Sequence, residues 1–326
     1  MFSQTYIGLT SICCFFMSFV VSLILNKSII KIQKKHVKGQ AISTYLFENH
    51  QNKKLTPTLG GVAIIISVLF TTILYYQYYN YSYFKVIIIM ITSFFLIGLV
   101  DDLIKVKFKD YHGIPSIIRF LLEIVLSLIC LYYLQEHYFF ENINLLNDYK
   151  INIGKYIFIL FPFILVGCSN SVNLTDGLDG LSSSLYLLAV IPFILFSLIE
   201  KEYYLTYLLI SSFGATLGFI SFNLHPSKIF MGDSGSLSLG LLLGISAIIL
   251  HKEIFLLISG GLFIFETLSV ILQVSFFKLT KKRLFLMAPF HHHLELKGFK
   301  EYQIVMYFFI VGLVLSFASI ILIILF

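Results

Sequence analysis

The chain has 326 residues, 58% of them hydrophobic and only 12% charged, with a mean hydropathy of +0.90 and a formal net charge of +6. That balance excludes a water-soluble globular domain and implies a multi-pass membrane protein, with no nucleic-acid partner expected. Cys13, Cys14, Cys130 and Cys168 all fall in apolar segments and form no Cys-x-x-Cys pair, so neither a disulfide framework nor a zinc site is expected.

About 20 apolar residues cross a bilayer. By that rule the sequence predicts ten spans, near 6–25, 59–76, 84–100, 117–134, 156–170, 181–199, 203–220, 235–250, 254–277 and 303–325, in one all-α polytopic catalytic domain over 1–326. The first 25 residues carry no charge and no small-residue cleavage site, which reads as a retained first span. Basic residues crowd the connection between the first two spans (Lys27, Lys31, Lys34, Lys35, Lys38, Lys53, Lys54) and the one between the last two (Lys278, Lys281, Lys282, Arg283, Lys297, Lys300). Lys105, Lys107, Lys109 and Arg119 follow the third span, and Lys228 the seventh; the opposite connections hold only Lys85, Lys150, Lys155, Lys201 and Lys252. The positive-inside rule therefore places both termini in the periplasm and the odd-numbered connections in the cytoplasm.

Each unusual polar cluster falls on that predicted cytoplasmic side. In chain order they are Lys53-Lys54-Leu55-Thr56-Pro57-Thr58-Leu59-Gly60-Gly61, Asp101-Asp102-Leu103-Ile104-Lys105, Asn173-Leu174-Thr175-Asp176-Gly177-Leu178-Asp179-Gly180-Leu181, Asn223 with Phe230-Met231-Gly232-Asp233-Ser234-Gly235-Ser236, and Pro289-Phe290-His291-His292-His293-Leu294-Glu295. Carboxylates three residues apart in an apolar chain need water, a cation or a donor-rich ligand. A solvated hairpin between two spans is the plain alternative for Asp176 and Asp179 alone.

Adjacent helical side chains diverge by about 100°, so Asp101 and Asp102 are expected to do different jobs, such as metal ligand and proton acceptor. Asp233 opens the eighth span in a turn of small residues, where backbone amides and a helix N-terminus favour an anion. Hard carboxylate oxygens without thiolates suit Mg2+ or Mn2+. Consecutive histidines cannot all face one ligand, so one or two of His291, His292 and His293 are expected to bind phosphate or shuttle a proton. Glu266 and Gln273, seven residues apart on one helix face, and Glu123 are intramembrane polar groups with either functional or helix-to-helix bonding roles. Carboxylates for a metal, cations for phosphates and glycine turns for close approach together describe phosphoryl transfer.

These motifs in this order closely resemble those of the phospho-N-acetylmuramoyl-pentapeptide transferases, a branch of the polyprenyl-phosphate N-acetylhexosamine-1-phosphate transferases. The resemblance runs from about Lys53 to Lys300 and takes in Glu266-Thr267-Leu268-Ser269-Val270-Ile271-Leu272-Gln273-Val274. It implies a ten-helix enzyme of the bacterial inner membrane, often a homodimer, that moves phospho-MurNAc-pentapeptide from UDP-MurNAc-pentapeptide to undecaprenyl phosphate with Mg2+, giving lipid I and UMP. By matching position, Asp233 is the implied Mg2+ ligand, and Asp101 and Asp102 are the implied catalytic pair. Lys53, Thr58, Asn173, Asp176, Asp179, Asn223 and Phe230 are implied around the uridine and diphosphate. His291, His292 and His293 are implied near the sugar-phosphate or leaving group, with His291 counted among the catalytic residues. The choice of base between Asp101 and Asp102 stays open, as does a route through a phospho-aspartyl enzyme.

A sister transferase using UDP-N-acetylglucosamine would share the aspartates; the His-His-His-Leu-Glu-Leu-Lys-Gly segment favours the muramoyl branch. An anion transporter would place charge at the midplane with paired broken helices or repeats, whereas these motifs collect at one membrane face.

Overall fold

The computed structural model describes residues 4–35, 56–76, 82–108, 113–135, 142–144 and 150–325; Lys53 and Leu55 lie outside the described residues. Twelve α-helices are described: α1 (Gln4–Lys35), α2 (Gly60–Tyr76), α3 (Ser82–Phe108), α4 (Ser116–Leu134), α5 (Ile157–Thr175), α6 (Leu181–Ile199), α7 (Tyr203–Asn223), α8 (Asp233–Ile249), α9 (Glu253–Ser259), α10 (Gly261–Thr280), α11 (Phe290–Leu296) and α12 (Glu301–Leu325). Eight of them are long and apolar enough to cross a membrane, while α2 and α8 are shorter apolar helices. The all-α membrane architecture expected from the sequence is therefore present. Its one β element among the described residues is a short antiparallel hairpin, β1 (Asn142–Asn144) with β2 (Lys150–Asn152), in the connection before α5.

Three expectations are corrected. The first and third spans continue as helix well past the apolar stretch, to Lys35 and Phe108, so Asp101 and Asp102 sit within a helix and not at its edge. The single ninth span is broken into α9 and α10, because the Gly260-Gly261 pair carries no side chains to hold a helical turn. The histidine run, expected in a connecting loop, forms the short helix α11.

The bundle is assembled around α8. All 17 of its residues are buried, as a helix apolar on every side requires. Helices α2, α3, α5 and α6 surround it. In hydrocarbon, small side chains and hydroxyls carry helix association, and the sequence supplies them at the contacts. A side chain at Gly61 would strike the backbone of Gly235, which brings α2 against α8. The Ser169 hydroxyl donates to the Leu237 carbonyl (2.9 Å), joining α5 to α8, and Ser22 donates to the Ala215 carbonyl (2.7 Å), joining α1 to α7. Ser316 does the same from α12 to Leu188 of α6 (2.8 Å).

Candidate active site

The acidic centre follows from how α3 meets the start of α8. Gly98 lies against the backbone of Asp233, where any side chain would collide. Three and four residues on, the same helix face delivers Asp101 and Asp102, both fully buried. Asp102 spends its two oxygens on the backbone of the turn: Oδ1 accepts the Asp233 N–H (2.9 Å) and Oδ2 the Ser234 N–H (3.0 Å). Gly232 takes φ +76°, and a Cβ there would stand 2.6 Å from Asp102 Oδ2. The small-residue turn was expected to cradle a bound anion; the anion at those two amides is the chain's own Asp102.

Asp101 and Asp233 are held differently, by side chains. Lys105 Nζ lies 2.6 Å from Asp101 Oδ2 and 3.2 Å from Asp233 Oδ2, and Ile114 N–H donates to Asp101 Oδ1 (2.6 Å). Arg119 Nη1 donates to Asp233 Oδ2 (2.6 Å), and Asn173 Nδ2 donates to Asp233 Oδ1 (2.9 Å) and to Ser236 Oγ (2.9 Å). Behind Arg119 stands the buried Glu123, whose Oε1 lies 3.9 Å from Arg119 Nε and whose Oε2 accepts from Asn170 Nδ2 (2.5 Å). In the sequence Arg119 counted only as a topology charge. Its spacing of four from Glu123 was the signal that both share a helix face.

The turn between α5 and α6 supplies the next residues. The recessed Asp176 carboxyl accepts a bond from the Gly232 backbone, and its pKa is pushed up to about 8 by burial first, then by the carboxylates of Asp233, Asp102 and Asp179. A cation among these groups would reverse that shift by favouring the ionised form. Asp179 is buried and accepts the Ser227 N–H (3.0 Å). Asn223 accepts from Gly180 N–H (3.1 Å) and the Ser183 hydroxyl (3.0 Å) and donates to the Ile229 carbonyl (3.0 Å), so it staples this turn to the loop after α7. The backbone of Phe230, whose side chain is half-buried, donates to Pro57 O (2.8 Å) and accepts from Gly60 N–H (2.9 Å). Thr58 is fully buried, its peptide N–H and carbonyl both bonded by the Gln33 side chain (2.9 and 2.8 Å).

The three histidines of α11 point three ways. His291 is fully buried, with Nδ1 3.2 Å from Glu266 Oε2 and its ring against Gly177 of the acidic turn. His292 Nδ1 pairs with Glu295 Oε2 (2.6 Å). His293 Nδ1 accepts the Leu286 N–H (3.1 Å), so that nitrogen carries no proton, and the ring stacks on Phe290. Its pKa is lowered by burial and then by Lys297. Glu266, also fully buried, accepts the N–H groups of Phe290 (2.7 Å) and His291 (3.2 Å), an anion at the start of α11. Gln273 accepts those of Leu284 (3.0 Å) and Phe285 (2.8 Å). These two intramembrane polar groups thus anchor the segment that carries the histidines, a role distinct from bonding one long helix to another.

The centre fits a hard divalent cation at Asp233 better than at Asp102. Asp102 is committed to backbone amides that cannot move away, whereas Asp233 is paired with lysine and arginine side chains that can swing aside. Among the described residues, the three donors close enough to share one ion are those of Asp179, His225 and Glu301, not Asp101, Asp102 and Asp233. A cation at Asp233 would therefore draw on one or two carboxylates and on substrate phosphates, the coordination habit of Mg2+.

The profile of glycosyl transferase family 4 matches residues 83–251. The chain is 40% identical over 309 residues to the phospho-N-acetylmuramoyl-pentapeptide-transferase of Bacillus subtilis, covering 92% of this chain and 94% of that protein. It is 40% identical over 339 residues to the enzyme of that name from Buchnera aphidicola of Acyrthosiphon pisum (97% and 94%), and 38% over 307 residues to that from a Geobacillus strain (93% and 95%). A likeness at this level, running through every helix that builds the acidic centre, makes the chain a member of the phospho-N-acetylmuramoyl-pentapeptide transferase family.

Proposed function

We propose that this multi-pass protein of the bacterial inner membrane transfers phospho-MurNAc-pentapeptide from UDP-MurNAc-pentapeptide to undecaprenyl phosphate at the cytoplasmic face, releasing UMP and leaving lipid I. The observation that carries the reading is that Asp102, Asp233, Asn173, Gly177 and His291, from motifs spread over nearly 200 positions, meet at one end of the bundle. Asp233 would hold Mg2+, which neutralises charge on the diphosphate and the departing UMP.

The remaining steps fall to the chain itself. Asp101, which faces Lys105, the Ile114 amide and the carboxyl of Asp233, takes the proton from the lipid phosphate; Asp102 is the clamp that fixes the turn bearing Asp233. A lipid phosphate oxygen bonds to the β-phosphorus of the donor as the bond from that phosphorus to the bridging oxygen breaks, and UMP leaves with that oxygen and its electron pair. Lys105 and Arg119 supply positive charge beside the diphosphate. His291, packed against the Gly177 turn, would meet the sugar-phosphate of the bound donor.

Donor choice is tested by UMP release from the purified protein in detergent with undecaprenyl phosphate. Release is expected with UDP-MurNAc-pentapeptide and not with UDP-N-acetylglucosamine. Release with the second donor alone would move the chain to the sister transferases.

A further inference from the structure

Resting on the reading of Asp179 as a nucleotide-binding residue, we infer that His225 and Glu301 are positioning residues that clasp Asp179 from both sides. Neither belongs to the acidic motifs or the histidine run. Glu301 is the first residue of α12, and its Oε1 accepts the backbone N–H of Asp179 at 2.6 Å, a contact spanning 122 residues of chain. His225 Nδ1 stands 3.2 Å from Asp179 Oδ2 and 3.3 Å from Glu301 Oε2. Both neighbours are carboxylate oxygens, which only accept, so Nδ1 carries the proton and donates between them. Ser227 N–H closes the arrangement on the same Asp179 oxygen.

The clasp therefore grips Asp179 twice. Glu301 fixes its main chain, while His225 and Ser227 fix its carboxylate. The Asp179 side chain is only 1% exposed and that of Glu301 11%, so these bonds are shielded from competing water, while His225, at 44%, covers them from the outside. Asn223 pins the adjacent Gly180 from the far side, leaving the turn little freedom except through the clasp. A turn that must meet a neutral nucleoside in one orientation gains affinity from being held in advance, here through its buried Asp179. The contribution belongs to donor binding, and the transfer step stays with the Asp101–Asp233 centre.

The test compares KM and kcat for UDP-MurNAc-pentapeptide in the wild type, His225→Ala, Glu301→Gln, Asp179→Ala and the His225→Ala/Asp179→Ala double variant. Loss of either clasp residue is expected to raise KM about tenfold with kcat at saturation within about twofold, and His225→Ala is expected to add less than about twofold once Asp179 is gone. His225→Asn, which keeps an N–H donor, is expected to recover most of the affinity. An unchanged KM in His225→Ala, equal losses in kcat and KM, or effects that multiply independently of Asp179 would overturn the clasp. So would one equivalent of Zn2+ bound by the wild type and lost in His225→Ala, which would make the triad a cation site. Affinity for UMP, measured by calorimetry on the same proteins, is expected to follow the same order. It keeps the clasp testable if the wild type fails to turn over the muramoyl donor, an outcome that would sink the substrate reading alone.

Discussion

Replacing Asp233 by asparagine is expected to lower turnover by at least about 10³-fold while leaving the melting temperature within a few degrees of wild type. Among the described residues the carboxylate is held by side chains alone, the mobile Lys105 and Arg119 and the Asn173 amide, with no backbone N–H fixed on it as on Asp101 and Asp102. An amide of the same shape retains an oxygen for Asn173 but loses the charge that would hold a cation. Stability is spared because each basic partner keeps a second carboxylate: Asp101 for Lys105 and Glu123 for Arg119. Turnover of purified Asp233→Asn within tenfold of wild type would remove Asp233 from the chemistry.

Asp102→Ala has a different signature, loss of both turnover and stability. Its two oxygens satisfy the Asp233 and Ser234 amides and place a negative charge at the start of α8. Truncation orphans two buried N–H groups at about 1–3 kcal/mol each, and removes a helix-terminus interaction worth up to about 2 kcal/mol. Since α8 is the fully buried axis of the bundle, that loss is not confined to a surface turn. With no tryptophan in the chain, unfolding is best followed with a thiol-reactive dye reporting the buried Cys14 and Cys130. An early thermal transition in Asp102→Ala, absent from Asp233→Asn, is the expected result. Identical melting of Asp102→Ala and wild type would show that the carboxylate does not clamp the turn.

Much of the architecture was legible because a bilayer imposes one rule, about 20 apolar residues per crossing, and the sequence obeys it plainly over 181–199 and 203–220, where α6 and α7 stand. What it concealed were events that apolarity does not report. The break at Gly260 lies inside a continuous greasy stretch, and the start of α11 is bonded by Glu266, two dozen residues earlier in the chain. The site divides in the same way. Aspartates and histidines draw notice in such a chain, and the structure brings Asp101, Asp102, Asn173, Asp176, Asp233 and His291 to one end. Which carboxylate is clamp and which is mobile depends on the partner amides, and no spacing in the sequence states that. Arg119 looked like one more cytoplasmic cation, and Glu301 fell in none of the motifs. Their roles rest on contacts to residues more than 100 positions away.

The measurement that bears most directly on the account is the stoichiometry of transfer. Purified protein is given UDP-MurNAc-pentapeptide labelled in the sugar, with undecaprenyl phosphate, and both UMP and organic-extractable label are counted with Mg2+ and with EDTA. One lipid-linked product per UMP, lost in EDTA and restored by added Mg2+, is the predicted result. UMP formed without lipid product, or transfer indifferent to EDTA, would contradict it.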